Sequence, residues 1–201
     1  MGLLSGTASI VRFGVEGELP SDPLAFIDQR VAAYSFGDID ENLDEYSIGW
    51  VSVANMFDNE FRYASYLNGD FIALSMRIDE RKVSPAILKK FVQKEEERIK
   101  REKQIPSIGR AMRADIKERV RAELTRKSIP VPSIFDVSWN LSEQSVMFFS
   151  TNKKIHAVLE DFFKDCFGLL LVQQIPFVTA QSFLDDESNE RLSSISPSLF
   201  V

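Results

Sequence analysis

The side chains able to act as nucleophile, proton shuttle or soft metal ligand are few in this sequence: a single histidine, His156, and a single cysteine, Cys166. They fall ten residues apart on one predicted helix, which places them about 80° apart around the axis and about 15 Å apart along it. No Cys–His pair forms within such a helix. One cysteine excludes an intrachain disulfide, and one Cys with one His cannot complete a zinc site of four such ligands, so a reducing cytoplasm is expected. His156 reads as a packing or surface residue and Cys166 as a buried thiol. Asp38, Asp40, Glu41, Asp44 and Glu45 crowd together. A calcium loop, however, needs its acids at fixed offsets around a central Gly, and here Gly37 precedes them. That stretch reads as an acidic solvated loop. Gly-rich phosphate loops are absent, and the expectation is a protein without catalytic residues, metal or cofactor.

The chemistry the sequence does offer is cationic. Between Arg81 and Lys127 there are 16 Lys and Arg against 7 acids, whereas the rest of the chain carries 8 against 23. Ser84 and Pro85 form a helix start, with a capping hydroxyl followed by a proline at the first helical position. The helix breaks at Gln104-Ile105-Pro106, Ser107 offers a second cap, and Pro130 and Pro132 end the second run after Lys127. The spacing predicts a two-helix hairpin with arms about 30 Å long. Ile87, Leu88, Phe91, Val92 and Ile99 stripe one arm, and Ile108, Met112, Ile116, Val120 and Leu124 the other, so the two stripes can zip together. Basic ridges lie on both arms: Lys90, Lys94, Arg98 and Arg101 on the first, and Arg110, Arg113, Lys117, Arg121, Arg126 and Lys127 on the second. Their acids pair at i,i+4 spacing, as Glu96 with Lys100, Glu97 with Arg101, Asp115 with Arg119 and Glu123 with Lys127.

Such a ridge suits phosphates, because non-specific nucleic-acid affinity comes chiefly from Lys and Arg neutralising the backbone. Aromatic residues do not interleave with the cations, which favours double-stranded over single-stranded DNA. The alternative reading is a protein-interaction module that uses the hairpin as a coiled-coil arm.

The elements around the hairpin read as α+β, with mostly antiparallel sheets, packed helices and a protruding basic two-helix hairpin. Leu3–Val15 is a strand and Asp22–Ala33 a helix. Ile48–Val53 is a strand, and Tyr63–Leu67 with Phe71–Arg77 forms a hairpin around Asn68-Gly69. Ile134–Trp139 and Ser145–Phe149 are strands, and Lys153–Phe167 is an amphipathic helix stopped by Gly168. Leu169–Val172 is a strand or buried segment, and Phe177–Leu184 a short helix or turn. The domain reading is 1–83 and 130–184 as two parts of a body, 84–129 as the hairpin and 185–201 as a flexible acidic tail ending in the apolar Ser198–Val201. No apolar run reaches the ~18 residues of a membrane span, and no signal peptide is evident at the start, so no membrane association is expected.

The succession Gly49-Trp50-Val51, Asn68-Gly69 with Ile72 and Leu74, then Arg77, Glu80, Lys82, Val83 and Ser84-Pro85-Ala86-Ile87 resembles the bacterial recombination-associated RdgC family. Asp136, Trp139, Phe148, Phe162-Phe163 and Phe167-Gly168 extend the resemblance, which covers roughly Leu3 to Ala180. It implies a cytoplasmic, nucleoid-associated protein that binds double-stranded DNA without sequence preference, forms a homodimer and antagonises RecA in recombination. The chain ends near Val201, without the further C-terminal region of longer members.

Overall fold

A computed structural model describes residues 2–195. In chain order they form β1 (Val11–Glu16), α1 (Pro23–Ala33), β2 (Tyr46–Val51), a 3₁₀ turn (Arg62–Ala64), β3 (Leu67–Asn68) and β4 (Phe71–Arg81). The hairpin helices α2 (Pro85–Lys103) and α3 (Arg110–Lys127) follow, then β5 (Pro130–Asn140), β6 (Ser145–Phe148), α4 (Lys153–Phe167), β7 (Leu170–Gln173), α5 (Pro176–Phe183) and α6 (Asp186–Ser194). The class is α+β, and the strand pairings are antiparallel. The chain divides into two compact units, Met1–Arg30 with Tyr63–Leu74 and Asp136–Val201, and Val31–Arg62 with Ser75–Phe135. The boundaries cut through α1, β4 and β5. A division at residues 83, 129 and 184 follows shifts in composition, which do not register that one continuous strand can serve two units.

In the first unit β1 lies between β6 and β7, and β6 also pairs with β5. The period-two alternation puts Phe13, Val137, Trp139, Val146, Phe148 and Leu171 into the core. The apolar stripe of α4 supplies Leu159, Phe163 and Phe167, with Phe163 edge-on to Trp139 at 5.1 Å. Asn152 caps α4 by accepting from the Lys154 amide, and Gly168 ends it in the left-handed region at φ 71. Arg30 donates to the carbonyls of Asp165 and Cys166, placing a cation on the negative end of the α4 dipole.

In the second unit β2 pairs with β4. Gly49 is required by a close approach: a Cβ there would stand 2.3 Å from the Phe36 Cα. The Phe36 amide donates to the Trp50 carbonyl and the Trp50 amide to that of Tyr34, both at 2.9 Å. Two buried guanidiniums extend from β4. Arg77 makes a two-pronged ion pair with Asp79 at 2.8 and 2.6 Å and stacks over the Phe36 ring at 4.1 Å. The Asp79 hydrogen bonds are the main reason the Arg77 pKa is raised. Arg81 donates to four main-chain carbonyls, those of Ile39, Asn42, Asp44 and Ser128.

Several sequence expectations are corrected locally. The first strand is confined to Val11–Glu16. Tyr63 lies in the 3₁₀ turn rather than a strand, and Asn68 pairs with Phe71, so the loop residues are Gly69 and Asp70. Gly69 takes φ +60, the conformation the turn demands. Where a poorly ordered tail is expected, Asp185 caps α6 by accepting from the Ser188 amide, and Glu187 pairs with Arg191 one turn on. The apolar end Ser198–Val201 lies outside the described residues.

Arg81→Met removes the only donors that reach these four carbonyls from one side chain. The expected loss is about 1–3 kcal/mol in urea unfolding, the cost of one buried group left unpaired, because the Ile39 carbonyl keeps the Asn42 amide and water can reach the carbonyls of the exposed Asn42 and Asp44. A loss below about 1 kcal/mol would mean that water or rearrangement satisfies them without cost.

Candidate functional site

The hairpin starts where the sequence indicates: Ser84 accepts from the Ile87 amide at 3.3 Å, and Pro85 occupies the first turn. The first arm ends at Gln104 in the left-handed region, φ 52, whose amide returns to the Lys100 carbonyl. The second arm does not begin at Ser107. It begins at Arg110, after Gly109, with no side-chain cap. The reason is packing, because Ile108 is buried in the seam and Gly109 stays extended behind it before the first turn.

Ile99, Ile108, Ile116 and Val120 are buried between the arms, with Leu88, Val92, Ile105, Met112 and Leu124 packed around them. Ile87 and Phe91, read as part of the stripe, point outward and are 49% and 38% exposed. Two of the expected intrahelical ion pairs give way to pairs that cross the seam, while the other ion pairs of the hairpin stay within one helix. Glu96 binds Arg113 at 3.0 Å, and Glu95 bridges Arg98 and Arg119. Glu97 takes Lys100 rather than Arg101, and of the four expected pairs only Glu123–Lys127, at 2.6 Å, is present as read. Glu95 and Glu96 are mostly covered, with side-chain exposures of 20% and 15%. Each sits beside the apolar seam, within reach of the opposite arm.

These pairings leave the two sides of the hairpin electrically different. One side carries a groove of about 1120 Å³, lined by the half-buried Val83, Leu88 and Val92 and by Lys82, Lys89, Arg113, Lys117 and Arg121. Its acids are already engaged, Glu80 with Lys82 at 2.8 Å and Glu96 with Arg113. Lys89 and Lys117 have no ion pair among the described residues. The other side carries a lattice of Lys94, Glu95, Glu97, Arg98, Arg101 and Glu102, continued by Arg119, Glu123 and Lys127. There Arg98 is held by both Glu95 and Glu102, hydrogen bonds that raise its pKa. Hydrogen bonds from Arg98, Lys100 and Lys127 in turn lower the pKa values of Glu95, Glu97 and Glu123.

The ten ridge cations therefore do not form one surface. Arg113, Lys117 and Arg121 line the groove, Lys94, Arg98, Arg101 and Lys127 join the lattice, and Arg126 lies beside Arg119 and Lys127 in a smaller hollow of about 370 Å³. Lys90 and Arg110 line neither side, and the Lys90 ammonium rests 5.8 Å from the Phe91 ring. Lys82 and Lys89, absent from the ridge read by spacing, also line the groove. Lys82 was legible as a cation two residues before the Ser84 cap, outside the helical period that defines the ridge.

Elsewhere, His156 is buried with its Nε2 2.8 Å from the Ser150 carbonyl and its ring edge-on to Phe13 and Phe148. Cys166 is buried, with its thiol toward the Arg30 carbonyl. Among the described residues no three of His, Cys, Asp and Glu converge to hold a metal ion, and no helix is long and apolar enough to cross a membrane. The chain matches no protein-family model, and a search of curated proteins finds no match.

The lowered Glu95 pKa gives a signed pH effect. Its stabilisation is present above the ordinary value of 4.5 and is lost as pH falls through the lowered native value. Glu95→Gln should melt below wild type at neutral pH by about 2–4 °C, the shift that ~1 kcal/mol produces at this size. The two melting curves should converge under acid conditions. A gap that persists undiminished at low pH would assign the loss to packing rather than to charge.

Proposed function

We propose that this chain is a non-sequence-specific double-stranded DNA-binding protein that holds phosphates with the groove side of its basic hairpin. The observation that supports this is the imbalance of charge between the two sides: the groove sets Lys82, Lys89, Arg113, Lys117 and Arg121 against Glu80 and Glu96 alone, whereas on the other side Glu95, Glu97, Glu102 and Glu123 nearly match the cations beside them. Cations arranged this way gain affinity by releasing counterions from the duplex and read no bases. The remainder of the proposal rests on the resemblance to RdgC: a cytoplasmic, nucleoid-associated homodimer that modulates homologous recombination by restraining RecA. The alternative, a coiled-coil arm, has narrower support. The seam is filled by the chain's own two arms, which leaves of the first stripe Ile87 and Phe91 exposed and Leu88 and Val92 half-buried at the groove.

Fluorescence anisotropy with short duplexes of unrelated sequence tests the reading. Wild-type log K should fall linearly with log salt, and Arg113→Glu with Lys117→Glu should weaken every duplex by about tenfold or more and flatten the salt slope by about 2. Affinity unchanged in the double variant, or insensitive to salt, would remove the hairpin from a DNA-binding role.

A further inference from the structure

The groove has a feature that phosphate binding does not use. Val83, Leu88 and Val92 give it an aliphatic floor, while Lys89, Lys117 and Arg121 stand exposed along its edges. A DNA backbone offers charge to the edges and nothing to the floor. Ser84 to Glu96 on one arm and Arg113 to Thr125 on the other bound the groove, and each stretch spans about 18 Å at the helical rise. That length matches three turns of a partner helix, whose apolar side chains at i, i+4 and i+8 form one row.

We propose that the groove is a docking site for an acidic amphipathic helix of a partner protein, with its apolar row on Leu88 and Val92 and its carboxylates on Lys89, Lys117 and Arg121. Charge complementarity selects this occupant. The groove's own acids, Glu80 and Glu96, are neutralised by Lys82 and Arg113, so an incoming carboxylate meets the unpaired ammonium groups of Lys89 and Lys117, with Arg121, held loosely by Glu118 at 3.5 Å, beside them. A basic or purely apolar helix would leave those cations covered and without partners, at a desolvation cost. The inference goes beyond the DNA reading and shares Lys117 with it.

The test uses the full chain and a fluorescein-labelled helical peptide with a leucine stripe flanked by glutamates. Two controls accompany it: the same composition scrambled to abolish the stripe, and the stripe with lysine in place of glutamate. At physiological salt the acidic striped peptide should bind, and both controls should bind at least about tenfold more weakly. Val92→Ser, which removes floor and keeps charge, should weaken the peptide by about tenfold and leave duplex affinity unchanged. Circular dichroism checks folding, and Leu88→Asn replaces Val92→Ser if the latter unfolds. Equal binding of the scrambled peptide, or full peptide affinity in the floor variant, would overturn the docking site. Duplex binding without peptide binding overturns this inference alone, and peptide binding without duplex binding overturns only the DNA reading.

Discussion

A buried guanidinium surrounded by main-chain carbonyls holds the second unit together at the base of the hairpin. Arg81 sits three residues before the Ser84 cap, and it donates to Ser128, the residue that ends α3. Both ends of the hairpin are therefore tied to one side chain. The α3 carbonyl end carries the negative pole of its dipole, which a cation complements. The same guanidinium also gathers Ile39, Asn42 and Asp44 from the acidic loop, so the loop's backbone is fixed even where its carboxylates face solvent. Burying such a group costs several kcal/mol in desolvation. Charge-assisted hydrogen bonds of ~1.5–3 kcal/mol each offset that cost only when several are made at once. Lysine, with one compact ammonium, has no planar fork with which to span acceptors on separate segments.

From that base the register of the arms follows, and from the register follows the distribution of charge. Glu95 and Glu96 flank the buried Ile99 and face α3, so Glu96 binds Arg113 across the seam, and Glu95 shares itself between Arg119 across the seam and Arg98 on its own helix. Ion pairs whose arginine stays exposed contribute ~0–1 kcal/mol each. Their larger consequence is to decide which cations remain unpaired. The lattice side becomes nearly neutral although Lys94 and Arg101 make no ion pair of their own among the described residues, and the groove side keeps Lys89 and Lys117 with few carboxylates near them.

The elements whose ends are set by local chemistry were legible in the sequence. Lys153–Phe167 is bounded as its amphipathic period and Gly168 indicate, and α2 opens on Ser84 and Pro85. Where a distant contact decides, local reading fails. Ser107 has the chemistry of a cap, but the burial of Ile108 delays α3 to Arg110. Asn-Gly signals the β3–β4 turn, yet register with Phe71 shifts the loop by one residue. The composition of residues 186–194 is polar enough to read as a tail, and what makes a helix there is the Asp185 cap with the Glu187–Arg191 pair. At the site, cation types and spacing were visible, but the rotation of one arm against the other was not. That rotation separates Arg113, Lys117 and Arg121 from Lys94, Arg98 and Arg101.

The two chemistries of the groove respond differently to solvent, and this decides what can occupy it. Attraction to the exposed Lys89 and Lys117 is screened beyond about 8 Å at physiological ionic strength. Burial of apolar area against Leu88 and Val92 is not screened, and its strength depends on the area covered rather than on charge. At low salt the cationic edge is sufficient to collect any polyanion, whatever its shape. As salt rises, a ligand that touches only the edge loses affinity steeply, by roughly one power of salt for each phosphate neutralised. A ligand that also covers the floor retains the apolar share. If both proposed ligands occupy the groove, ionic strength would act as a selector between them, and Val83, Leu88 and Val92 would supply the selectivity that the cations alone lack.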